Sequence, residues 1–205
     1  MIKLEDAEQR NKKIIQQRFG VSAIYDTIPN STLNKEICKY IKIIDNMFPN
    51  CFLWYPNRHM TLIRCESVRF PLRVSSNEDF YKEMKKELMI LPKIRLKYTY
   101  SKIDSDGVIR CFFAEIDWED LYAVKKFYMN KGLNYTMIEN PWIALGNIKI
   151  EKFNDVKMRI ENLKDVVNEI NISDIVIDVV DFIYYEDVLL RKSQCIGKIK
   201  LGRNK

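Results

Sequence analysis

A four-residue turn constrains this chain more than any other feature. Residues 93–103 and 108–116 are both rich in strand-forming side chains, and Asp104-Ser105-Asp106-Gly107 stands between them. Strand-like runs on either side of an Asp/Gly turn form a hairpin, and a hairpin is antiparallel by construction. Other segments repeat the theme. Residues 20–28 read as a strand stopped by Pro29, and residues 51–55 and 59–65 as two strands about a Pro56-Asn57 turn. Further strands are expected at 142–150, 173–184, 187–191 and 194–201.

Between these strands the apolar period lengthens from two residues to that of a helix. Residues 1–18 read as a polar helix. Asn30 or Ser31 caps a second, which places Leu33, Ile37, Tyr40, Ile41, Ile44 and Met47 on one face. Ser76-Asn77-Glu78-Asp79 starts a third, with Phe80, Met84 and Leu88 in register. Asp117 caps a fourth, carrying Leu121, Val124 and Tyr128 and ending at Gly132. A fifth covers about 153–170, with Phe153, Val156, Ile160, Leu163 and Val167. Helices interspersed with hairpin strands predict an α+β fold with much antiparallel sheet. No Ser/Gly linker divides residues 1–205, so the expectation is a single bilobed domain. Its N-terminal helix, residues 1–18, either caps the sheet or stands as an appendage for a partner.

Composition narrows the chemistry. Hydrophobic residues make up 47%, enough for a packed core and too many for a disordered chain. No apolar run nears the roughly 20 residues of a membrane span. The opening MIKLEDAEQRNKK lacks the apolar stretch of a signal peptide, so a soluble, cytoplasmic protein is expected. Five scattered cysteines without a CxxC predict reduced thiols, with neither a disulfide framework nor a zinc site. His59 is the sole histidine, which excludes mechanisms needing two imidazoles and any multi-histidine metal site. The net charge of +6 favours polyanions such as RNA or nucleotides, or reflects a solvated lysine-rich surface. There is no GxGxxG or GxxxxGK[ST] phosphate loop, and neither metal nor cofactor is expected.

The segment Arg58-His59-Met60-Thr61-Leu62-Ile63-Arg64 carries the chemistry. On a strand, His59 and Thr61 project to one side while Met60 and Leu62 face the core. The imidazole can move a proton or, when charged, stabilise anionic oxygens, and the hydroxyl donates one hydrogen bond. Taken alone, the pattern fits equally well a histidine bonded to a neighbour. Placement adds to it. About eighty residues later stands Pro141-Trp142-Ile143-Ala144-Leu145-Gly146-Asn147, with Trp142 and Ala144 at the spacing of His59 and Thr61.

His59-Met60-Thr61-Leu62, following its strand–proline–helix–strand opening, resembles the two-histidine phosphoesterase superfamily. That superfamily includes RNA 2′,3′-cyclic phosphodiesterases and the bacterial RNA-ligase-like proteins. The resemblance covers residues 20–202. It implies a bilobed fold of largely antiparallel sheets around a central cleft, with helices outside. Each lobe of such a protein gives an H-x-[TS]-hydrophobic strand to the cleft. Here the first motif is intact, whereas the second has Trp142 in place of histidine and Ala144 in place of threonine.

In active members one histidine is the base toward the attacking water or hydroxyl, the other protonates the leaving oxygen, and each threonine holds the phosphate. Indole has a donor N–H and no useful pKa, and losing one acid–base group costs roughly 10²–10⁴-fold in rate. The resemblance therefore implies a degenerate member that binds a nucleotide ligand without efficient turnover, as a sponge or sensor. The ligand is a cyclic nucleotide, an oligonucleotide signal or an RNA end. His59 and Thr61 would hold a phosphate. Trp142 would stack on a base, or fill the vacated half of the cleft as core. Tyr25, on the first strand, and Tyr184-Tyr185, at the end of the last long strand, would border the cleft or belong to core and rim. The alternative is an active 2′,3′-cyclic or cyclic-oligonucleotide phosphodiesterase, with His59 and Thr61 catalytic and a second acid or base unidentified. A third possibility is a scaffold whose cleft is filled by Trp142. Glu115, Asp117, Glu119 and Asp120 read as capping and surface residues, and residues 64–73 as a guide for a phosphate backbone or a solvated loop.

Overall fold

A computed structural model of the chain describes residues 1–27, 30–67, 81–82, 85–86, 88–90, 92–115, 135–137, 141–187 and 189–202. Ten strands within these residues join one antiparallel sheet, and helices accompany them, so the architecture is α+β. The strands are β1 (Gln17–Asp26), β2 (Phe52–Trp54), β3 (His59–Ser67), β4 (Ile94–Ile103) and β5 (Val108–Glu115). They continue with β6 (Tyr135–Met137), β7 (Trp142–Ile148), β8 (Ile175–Ile177), β9 (Val179–Asp187) and β10 (Ser193–Lys200). The spatial order is β10-β9-β1-β3-β7-β5-β4-β8, with β2 beside β7 and β6 beside β3. The helices are α1 (Leu4–Ile15), α2 (Ser31–Met47), α3 (Phe153–Met158) and α4 (Ile160–Asn168).

The predicted hairpin forms as β4 and β5. Gly107 ends its turn at φ +74, in the left-handed region that a glycine enters without strain, and its N–H donates to Asp104 O at 3.0 Å. α2 begins as expected at Asn30, whose side chain accepts from Leu33 N at 3.1 Å. Its Leu33, Ile37 and Ile44 are fully buried in the main core, with Phe153, Val156, Leu163 and Val167 of α3 and α4. Met60 and Leu62 of β3 enter the same core. Burying an aliphatic side chain of this size contributes about 1.5–3 kcal/mol, so this alternation fixes which side of β3 faces outward.

The opposite face of the sheet is partly covered by α1. Its Ala7 joins the main core, whereas Ile14 is buried with Tyr55, Val108, Ala144 and Leu189. The N-terminal helix is thus docked, and it ends at Ile15, so β1 starts at Gln17, earlier than the Gly20 expected. Three further boundaries differ from the sequence reading. The strand expected at 173–184 divides at Asp178 into β8 and β9, and β9 runs on to Asp187. The expected helix at 153–170 breaks at Arg159 (φ −119, ψ 25) into α3 and α4. Of the strand expected at 187–191, Asp187 ends β9 and residues 189–191 form no strand, because the buried Asp187 carboxylate takes Leu189 N at 2.9 Å and Lys192 N at 2.7 Å. Those bonds curl the chain between β9 and β10, and Leu190 adopts φ +56. Of the helix expected from 76 to 88, residues 81–82, 85–86 and 88–89 are helical and the rest lies outside the described residues. The helix expected at 117–132 also lies outside them.

β2 crosses unusually close to β7. A Cβ on Gly146 would stand 2.7 Å from both Leu53 O and Trp54 Cε3, so only glycine fits there.

Candidate functional site

β3 and β7 are antiparallel neighbours, with Met60 paired to Ile143. That register sets His59 abreast of Ala144 and Thr61 abreast of Trp142. Met60 and Ile143 are fully buried in the main core, so the alternating neighbours on both strands project to the opposite face. There His59, Thr61, Trp142 and Ala144 line one cavity of about 140 Å³. β1 contributes Ser22 and Ile24, β9 contributes Tyr185, and the turn after β9 contributes Leu189 and Leu190. Tyr55, Asn57, Arg110 of β5 and Arg10 of α1 complete the wall.

His59 Nδ1 lies 2.9 Å from Asn57 O. A carbonyl only accepts, so Nδ1 carries the hydrogen and Nε2 is the nitrogen left to act. Burial pushes the imidazole below its ordinary pKa, against the opposing pull of the Asn57 carbonyl and the Asp26 charge. At neutral pH the ring is therefore uncharged, with a lone pair on Nε2.

The positive charge of the site comes from arginines. Arg110 donates from Nη1 and Nη2 to both oxygens of Asp106, at 2.9 and 2.7 Å, and from Nη1 to Asp104 at 2.5 Å. Burial alone would raise the Asp106 carboxyl, but the hydrogen bonds and charge of Arg110 hold it below the usual range. The same guanidinium lies 5.0 Å above the Trp142 ring centroid, a cation–π contact that orients the indole. Arg10 Nη2 donates to Tyr55 Oη at 3.2 Å. Burial raises the Tyr55 phenol, with Arg10 pulling the other way, so it stays protonated at neutral pH. Arg10, Arg110 and Trp142 also wall an adjoining groove of about 670 Å³, which Lys13, Lys102, Phe112, Asp104 and Asp106 border.

Of the residues singled out in the sequence, His59, Thr61, Trp142 and Tyr185 meet in the cavity. Tyr25 does not. On β1 it follows the cavity-lining Ile24, so alternation turns it into the main core, where its hydroxyl accepts from Asn30 Nδ2 at 3.2 Å. It borders a separate depression with Asp26, Asp178, Asp181 and Lys198. Tyr184 likewise turns away from Tyr185 and packs against the main core. Trp142 does two things at once, packing against the small cluster around Ile14 and Ala144 while part of its ring lines the cavity. Asp117, Glu119, Asp120 and residues 68–73 lie outside the described residues.

Arg10, Tyr55, Asn57 and Arg110 were not anticipated. Arg110 had a signal, a lone charge inside the apolar run Val108-Ile109-Arg110-Cys111-Phe112-Phe113. Arg10 had none, being one cation among many on a polar helix. Among the described residues, the cavity wall holds no carboxylate, lysine or thiol, and no group of three or more His, Cys, Asp or Glu could hold a metal. Its proton-carrying groups are the His59 imidazole and the phenols of Tyr55 and Tyr185. No helix among the described residues is long and apolar enough to cross a membrane. No known family model matches this sequence, and no curated protein is significantly similar to it.

Proposed function

We propose that this chain is a degenerate protein of the two-histidine phosphoesterase type, bilobed around its cleft, which captures a nucleotide-type ligand in the cytoplasm without turning it over efficiently. The observation that carries this reading is the juxtaposition of His59 and Thr61 with Trp142 and Ala144 across β3 and β7, on the wall of one cavity. The two segments that resemble paired catalytic motifs are neighbours, and only one of them has a proton carrier.

Size and lining support a ligand held in parts. A cavity of about 140 Å³ matches the roughly 150 Å³ that accommodates a benzene, and falls below the roughly 300 Å³ of the smallest drug-sized sites. It takes one ring or one phosphoryl group, and the remainder of a nucleotide extends into the groove of about 670 Å³ beside it. The hydroxyl of Thr61 and the charge of Arg10 suit a phosphate, while the open part of Trp142 suits a base, a stack worth about 1–3 kcal/mol. Tyr185 closes the cavity from β9.

The test is incubation with cyclic mono-, di- and trinucleotides and short RNAs, read by thermal shift, then heat denaturation and chromatography of what is released. At a ligand concentration of 100 times Kd, stabilisation of about 2.7 kcal/mol is expected, with the ligand recovered intact. A ring-opened or shortened product that disappears with His59→Ala would establish a phosphodiesterase instead, with a cavity phenol as the second proton carrier. No shift with any member of the panel would refute nucleotide capture and leave the scaffold.

A further inference from the structure

We infer that Asn57 is a positioning residue that locks His59 as the Nδ1–H tautomer, so that the cavity offers Nε2 as a hydrogen-bond acceptor to an O–H or N–H of the ligand. Asn57 lies in the short connection between β2 and β3 and makes two contacts, one through its main-chain carbonyl and one through its side-chain amide. Its carbonyl oxygen accepts from His59 Nδ1 at 2.9 Å. Its side-chain Nδ2 donates to Leu190 O at 3.0 Å, across 133 positions of sequence. Leu190 is itself held, since it is buried at φ +56 in the turn that Asp187 organises. The amide therefore ties the start of β3 to the segment after β9 that Asp187 holds, and this tie aims the Asn57 carbonyl at the imidazole.

A hydrogen bond that fixes one ring nitrogen defines the chemistry of the other. Among the described residues no hydrogen bond reaches Nε2, and His59 lines the cavity. Asp26 stands abreast of His59 on β1, while Tyr55, Arg10 of α1, Arg110 of β5 and Tyr185 of β9 share its cavity. Burial opposes an imidazolium, whereas the Asn57 carbonyl and the Asp26 charge favour one. With burial prevailing, the neutral ring presents a lone pair, which repels a bare phosphate oxygen and accepts from a ribose hydroxyl or a base amino group. Phosphate then belongs to Thr61 and Arg10. This ligand half of the inference rests on the nucleotide reading above, whereas the tautomer half is read on the free protein.

Because His59 is the sole histidine, long-range ¹H–¹⁵N correlation on uniformly ¹⁵N-labelled protein reports one imidazole without overlap. At pH 7.5 the wild type is expected to show a protonated, pyrrole-type Nδ1 and a bare, pyridine-type Nε2. An Nε2–H tautomer, or two averaged shifts, would overturn the inference on the wild type alone. In Asn57→Ala the two shifts should move toward each other as the tautomers mix, and Asn57→Gln, which keeps an amide donor, should restore their separation. Unchanged shifts in a folded Asn57→Ala would reduce Asn57 to a structural tie. Inorganic phosphate added at the same pH should leave Nε2 pyridine-type, and conversion of Nε2 to pyrrole-type on its addition would refute the acceptor role while leaving the tautomer result intact.

Discussion

Replacing His59 by glutamine should flatten the dependence of stability on pH between 5 and 7. The unfolded imidazole titrates near pH 6.5, whereas in the folded protein burial holds it lower. As pH falls below about 6.5, the unfolded chain binds a proton that the native state refuses, so stability is lost. The loss stops once pH has fallen through the folded pKa, because both states are then protonated. The slope approaches about 1.4 kcal/mol per pH unit when the two states differ by a full proton. For a chain of 205 residues that is about 3–6 °C in Tm per pH unit. The assay is urea unfolding, followed by tryptophan fluorescence, at half-unit steps from pH 7.5 to 5.0 in wild type and His59→Gln. Carboxylates titrate in both proteins and cancel in the difference, and no second histidine contributes. The wild type should lose stability relative to the variant over this window. Parallel curves would mean that His59 is as free to ionise as in the unfolded chain, and would refute the neutral acceptor.

Three further outcomes test the site and its frame. Arg110→Gln should destabilise by about 1–3 kcal/mol at pH 7, since it strips the guanidinium from Asp104 and Asp106, each 25% exposed at the side chain. Because the depressed Asp106 stabilises above about pH 4 and that contribution is lost as pH falls through its folded value, the gap between variant and wild type should shrink at pH 3. Gly146→Ala should lower stability by about 1–3 kcal/mol by forcing β2 off β7, and an unchanged Tm would show that the strands do not approach so closely. Trp142→Ala should cost less than the roughly 3–5 kcal/mol of a fully buried aromatic, while abolishing ligand-induced stabilisation. A loss in that full range, with ligand response intact, would make Trp142 a packing residue only.

Much of this fold was legible locally. The β4–β5 hairpin follows from a turn that requires Gly107, and α2 follows from a capping asparagine and one apolar stripe. The outward direction of His59 and Thr61 follows from the apolar residues between and after them, because alternation is a property of neighbours along the chain. The count of one histidine bounded the chemistry before any fold was known. Other features depended on which strands became neighbours, and that is decided by burying every apolar face of the sheet at once. The direction of Tyr25 is a matter of register between β1 and β3, which a one-residue slip would reverse. The turn at Asp187 looks like a strand in sequence, and only the donors gathered around its carboxylate make it a turn. Arg10 and Arg110 are a hundred residues apart and carry no shared signal. They meet because Ile14 of α1 packs against Val108 of β5, and that packing brings a helix-surface cation and a strand arginine to the wall of one cavity.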